Sequence, residues 1–307
     1  MKIISSLRTG FTRVCRARNA VLFSWFLFFL LAVLLVFPLH AALNNAFGSS
    51  MITERLAEGL DIEVFADLGG AGLSLFSVFT NGYLFTFLVA FLINAFVSAG
   101  LFGVMRKDSS GYSAMGFFRA AGGNFLPFLV ITFVLTIAFL FFVLLFVIVP
   151  ISAGGISDGA YTGAIRIASA SVLLLLVPVF LLVADYSRAG KAGRDDISAF
   201  AAIGFGLNLT LKIFRRSYVL MVLLLLVQTL LLLCAFLIIP LWKPLTGGGV
   251  LLVFLVTQMF VLLRLFLKSW RYASVTSMME NPEKPVLPET TEAGMSDVSD
   301  CQNCYSQ

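Results

Sequence analysis

The chain has 307 residues, of which 60% are hydrophobic and only 12% charged, with a formal net charge of +5. So few polar side chains cannot coat a water-soluble globule, which excludes the soluble enzyme classes and assigns the chain to a bilayer. The positive balance does not indicate nucleic acid, because no separate basic domain exists to carry a phosphate footprint.

A helix that crosses about 30 Å of hydrocarbon needs roughly 20 apolar residues, since only internally hydrogen-bonded backbone is tolerated there. Six segments qualify: 20–43, 83–105, 126–149, 167–184, 217–241 and 250–267. The first follows Lys2, Arg8, Arg13, Arg16 and Arg18 and is too long for the apolar region of a cleaved signal, so it reads as a retained anchor. Ahead of it, Ile4, Leu7, Phe11 and Val14 recur at helical spacing and predict a short amphipathic helix.

The connection after the first span holds Ser50 as a helix cap, then Glu54, Glu58 and Asp61 on one face opposite Ile52, Leu56 and Leu60. A solvated face of an interfacial helix explains that spacing better than a cation site does. Gly69, Gly70 and Gly72 read as a flexible turn before the second span and lack the context of a phosphate loop. Arg106, Lys107 and Arg119 follow the second span, where Tyr112, Met115 and Phe118 suggest another amphipathic stretch.

Between the fourth and fifth spans lie Arg188, Lys191, Arg194, Lys212, Arg215 and Arg216. Within the same stretch, Phe200, Ile203, Leu207, Leu211 and Phe214 mark a third amphipathic helix with Asp195 and Asp196 at its start. The chain after the sixth span adds Lys268, Arg271 and Lys284, whereas the opposite side has only Arg55, Arg166 and Lys243. Basic loops stay in the cytoplasm, so both termini are expected there. Pro38, Pro150 and Pro240, in "VFPLH", "VIVPIS" and "IIPLW", then fall near the outer ends of the first, third and fifth spans, where a proline can end a helix. The expected fold is all-α: six transmembrane helices as three hairpins, each preceded by an amphipathic elbow helix in the inner headgroup layer.

Two polar constellations interrupt the apolar spans. Asp185 and Arg264 lie near the cytoplasmic ends of the fourth and sixth. An arginine costs roughly 2.5–3.5 kcal/mol at a helix centre, and a carboxylate at equal depth would offset that through an ion pair. The alternative is that both side chains reach the headgroups separately. Deeper lie Asn94, Thr136, Gln228 and Gln258, which should face other helices because unpaired amides are costly in hydrocarbon. Hydrogen-bonded glue between helices is their plain reading, and a polar path for a substrate is the functional alternative.

No catalytic or metal-binding set is found. His40, the single histidine, lies just past Pro38 without a second ligand or a nucleophile beside it, and Cys15 and Cys234 are solitary. Cys301 and Cys304 have metal or redox spacing but no second pair to complete a zinc site. They belong to an acidic tail, 276–307, rich in proline, serine and threonine and expected to be disordered beyond the membrane domain 1–275. The sequon Asn208-Leu209-Thr210 falls on the predicted cytoplasmic side, where it stays unmodified.

The stretch Asp185-Tyr186-Ser187-Arg188, together with Gln258 and Arg264 in the last span, resembles a family of uncharacterised six-span inner-membrane proteins of bacteria. In that family the first motif reads Asp-Tyr-Ala-Arg, so Ser187 departs from it. The layout is similar to the membrane domain found beside some glycerophosphodiester phosphodiesterases. The resemblance covers about residues 1–275 and implies a multi-pass fold in the bacterial inner membrane, with no activity attached. The expectation is therefore a non-enzymatic accessory or membrane-organising protein without cofactors, meeting membrane lipids and other membrane proteins. The alternative is a transporter or lipid-handling protein with a cavity around Asn94, Gln228 and Gln258.

Overall fold

A computed structural model describes residues 2–47, 69–106, 113–154, 161–194, 196–239 and 247–280, and every element among them is helical. The order is α1 (Lys2–Arg16), α2 (Arg18–Phe47), α3 (Gly69–Val104), α4 (Ala114–Val143), α5 (Tyr161–Ala192), α6 (Ala199–Lys212), α7 (Phe214–Ile238) and α8 (Gly247–Glu280). Six of them, α2, α3, α4, α5, α7 and α8, are long and apolar enough to cross a membrane. The chain is a multi-pass membrane protein by that measure.

The helices run further than the apolar segments predict, because helix does not stop where hydrophobicity does. α5 carries on through Asp185, Arg188 and Lys191 to Ala192, and α8 through Lys268 and Arg271 to Glu280. Those residues therefore belong to the long helices and not to connecting segments, and α8 itself continues past residue 275. Gly69 and Gly70 open α3 and do not form a turn. Residues 48–68, with Glu54, Glu58 and Asp61, and 281–307, with Cys301 and Cys304, lie outside the described residues, as do Tyr112 and Pro240.

Pro38 and Pro150 do not end their helices as expected. α2 continues past Pro38 to Phe47, since a proline forfeits one hydrogen bond whereas a broken helix exposes several backbone groups to hydrocarbon. Before Pro150, α4 widens into a π-helical turn over Leu144–Ile148, in which the Val149 N–H reaches back to the Leu144 carbonyl. The wider turn makes room for the proline ring, and helix resumes over Val149–Gly154.

Two of the three amphipathic stretches are separate helices. α1 is set off from α2 at Ala17, and α6 from α7 at Ile213. The stretch around Met115 and Phe118 is not separate: Ser113 caps α4 by accepting a hydrogen bond from Gly116 N, and both residues sit in that helix's first turns.

α2 packs on α3, α3 on α4, α4 on α5 and α7 on α8, so the pairing runs through the predicted hairpin boundaries as well as within them. Burial is concentrated at one end. In α3 the buried side chains lie between Ala95 and Val104, in α7 between Ser217 and Leu224, and in α8 between Ser269 and Ser277. Phe102 and Tyr272 stack there at 4.6 Å, with Phe117 and Phe128 in the same cluster. The other end exposes large apolar side chains such as Phe85, Phe141, Leu174, Leu230 and Leu251. Hydrocarbon solvates those without penalty, so close packing is confined to where small and polar residues let helices approach.

Candidate functional site

α5 delivers Asp185, fully buried, to the centre of the packed end. Its partner is not Arg264. Asp185 lies 2.9 Å from Arg271 Nε and 3.6 Å from Arg188 Nη1. Arg271 stands seven residues beyond Arg264 on α8, two turns further along the same face. Arg188 is itself anchored, donating to Thr132 Oγ1 of α4 at 3.0 Å. One carboxylate thus joins α5 to α8 through Arg271 and, by way of Arg188, to α4. A buried carboxylate in such surroundings is tolerable only with cations this close.

Around it the polar contacts continue. Lys268 Nζ donates to Asn94 Oδ1 of α3 and stands 5.8 Å from the centre of the Tyr272 ring, with Arg271 at 5.3 Å from the same ring. Tyr186, next to Asp185, shares a 2.7 Å hydrogen bond with Ser217 of α7. Asp185 and Glu280 are the only acids in the six long helices, and Glu280 is taken by Arg13 of α1 at 2.7 Å. The cluster therefore sets Arg188, Arg264, Lys268 and Arg271 against one carboxylate.

Arg264, Lys268 and Arg271 follow at i, i+4 and i+7, which puts them on one stripe of α8. Two grooves border that stripe. One, of about 470 Å³, runs between α7 and α8 from Ile239 and Thr257 down to Leu225 and Arg271, with Gln228 on its wall. The other, of about 440 Å³, lies against α2 and α3, where Phe28, Phe87, Phe91 and Asn94 line it. Val261, Arg264 and Lys268 belong to both. Arg264 is exposed and makes no hydrogen bond or ion pair among the described residues.

The four mid-membrane polar residues do not form one cluster. Asn94 and Gln228 both reach the grooves, from opposite sides of α8. Thr136 turns its hydroxyl to the Thr132 carbonyl of its own helix at 2.7 Å. Gln258 is half-buried and lines neither groove, whereas its neighbour Thr257 does. Lys268 and Arg271 escape a sequence reading that ends the last span at 267. The run Ser269, Ala273, Ser274, Thr276 and Ser277 is the signal for them, because small residues at that density allow a further two turns of close helix packing.

Elsewhere, His40 stands 3.4 Å from Asn44 on its own helix, and no group of three or more metal-ligating side chains occurs among the described residues. No family model, no curated protein and no solved structure matches the chain.

Proposed function

We propose that the protein is a non-enzymatic, multi-pass membrane protein that handles an amphiphile of the bilayer in the groove between α7 and α8. One observation supports this reading above the rest: an apolar groove about 470 Å³ in volume reaches Arg264 and Lys268, two cations that no carboxylate pairs with among the described residues. Its wall residues Thr229 and Leu232 are exposed, so the groove is open sideways to the hydrocarbon and a lipid enters without crossing water. A groove of this kind suits a molecule with one polar end and one apolar end.

In the same reading the spans form three re-entrant pairs in a bacterial inner membrane, with both termini cytoplasmic and the packed end toward the cytosol. The bias of Lys and Arg along the sequence supports that orientation. α1 and α6 lie in the inner headgroup layer as elbows, their exposed Ile4, Phe11, Phe200 and Leu211 toward the acyl chains. The resemblance of Asp185-Tyr186-Ser187-Arg188 to uncharacterised six-span proteins agrees with this setting and supplies no activity.

A second reading, an accessory or organising protein for other membrane proteins, is favoured by the pairing of Asn94 with Lys268, because a polar residue used as glue is unavailable to cargo. The two readings separate by copurification. Full-length chain purified in mild detergent should retain lipid through extensive washing. Leu232→Trp, which fills the groove from an exposed position, should lose that lipid while thermal stability holds. Equal retention by both proteins, or partner proteins in place of lipid, would favour the organising role.

A further inference from the structure

Building on the lipid-handling reading, we infer that the occupant of the α7–α8 groove is an acidic phospholipid, its phosphate held between Arg264 and Lys268. Four cationic side chains, Arg188, Arg264, Lys268 and Arg271, share this part of the bundle with one carboxylate. Asp185 satisfies Arg271 and Arg188, at 2.9 and 3.6 Å, which leaves the two remaining cations without an anion among the described residues. Countercharge stabilises cations where the dielectric is low, and an anion between these two side chains would supply it.

Geometry then selects the kind of anion. Arg264 carries a planar fork of donors that matches the oxygens of a phosphate, and Lys268 adds a point charge one turn away on the same face. From these two residues the groove leads toward Thr257 and Ile239, past Leu232 and Ala235, over walls that are mostly aliphatic. The eleven steps of helix from Lys268 back to Thr257 correspond to about 16 Å, room for much of an acyl chain and not merely for an ion. The second groove starts from the same two cations and is walled by Phe28, Phe87 and Phe91, which gives a second chain its own place. A molecule with one anionic head and two apolar chains fits both spaces at once.

The test uses full-length, delipidated protein in mild detergent, with phosphatidylglycerol and phosphatidylcholine of identical chains as probes and native mass spectrometry as the readout. Phosphatidylglycerol should bind at least about tenfold more tightly, in keeping with a charge-assisted contact. Arg264→Gln should remove most of that preference, and because Arg264 has no partner among the described residues its fold is not at stake. Equal binding of the two lipids, abolished by Leu232→Trp, overturns the acidic head while leaving the groove a lipid site. Inorganic phosphate that displaces phosphatidylglycerol at equal concentration overturns the lipid as the source of the anion. Failure of both lipids to bind overturns both this inference and the lipid-handling reading.

Discussion

Asp185 shows how a single carboxylate can organise a membrane interior. Removing its countercharge leaves an uncompensated buried ion, a change that costs about 3–5 kcal/mol where buried pairs have been broken. Arg271→Gln should accordingly destabilise the protein by that order, read as a lower midpoint of unfolding in detergent. Asp185→Asn combined with Arg271→Gln should cost less than the two single changes added together, because the pair goes as a unit. Arg264→Gln in delipidated detergent should shift stability by no more than about 0.5 kcal/mol, as for an exposed side chain. A larger loss in Arg264→Gln than in Arg271→Gln would return the ion pair to the place that hydropathy suggests. That Asp185 needs a cation on α8 was legible from its depth in the fourth span. Which cation was not, because a hydropathy reading ends the last span at 267, whereas the helix continues through Arg271 to Glu280.

At the scale of elements, the short helices are docked through small residues. α6 buries Ala202, Gly206 and Thr210 against α5 and leaves Phe200 and Leu211 outside. A Cβ on Gly206 would lie 2.7 Å from Ser187 N and 2.8 Å from the Val183 carbonyl, backbone that cannot move aside. Gly206→Val should therefore overpack this crossing and cost about 1–3 kcal/mol. The neighbouring Gly204, with nothing near its missing side chain, should accept alanine without loss. The same device holds α1, where Gly10 meets Ser274 of α8 and Trp270 Nε1 donates to the Leu7 carbonyl at 2.9 Å. Helical periodicity in the sequence locates both α1 and α6. It does not tell which face is buried, because large apolar side chains seek lipid in a membrane protein and the small ones carry the contact. Around Met115 the same periodicity yields no separate helix, since nothing between Ser113 and the third span interrupts the backbone.

For the molecule as a whole, tight packing at one end and exposed apolar surface at the other leave the grooves between diverging helices. Arginines close the packed end by capping helix termini: Arg13 donates to the Met105 carbonyl after α3 at 3.1 Å, and Arg106 to Ala192 of α5 at 2.9 Å. Such basic closure fits the cytoplasmic face. With the four native cysteines replaced, single cysteines at Lys2 and Ser299 should react with an impermeant reagent only after cells are opened, whereas one at Ser50 should react in intact cells. Opposite labelling at Lys2 and Ser299 would break the paired arrangement of spans. Six spans and their order follow directly from apolar length. The grooves were not legible, because their walls are the same leucines and phenylalanines that line any lipid-facing surface.

The account depends most on the space between α7 and α8 being a lipid site. An experimental structure of the full chain in lipid nanodiscs containing phosphatidylglycerol tests this directly. The account predicts headgroup density against Arg264 and Lys268, with a chain following Leu232 and Ala235 along α7. Closure of that space by protein side chains, or ordered lipid only on the outer surface of the bundle, would contradict it.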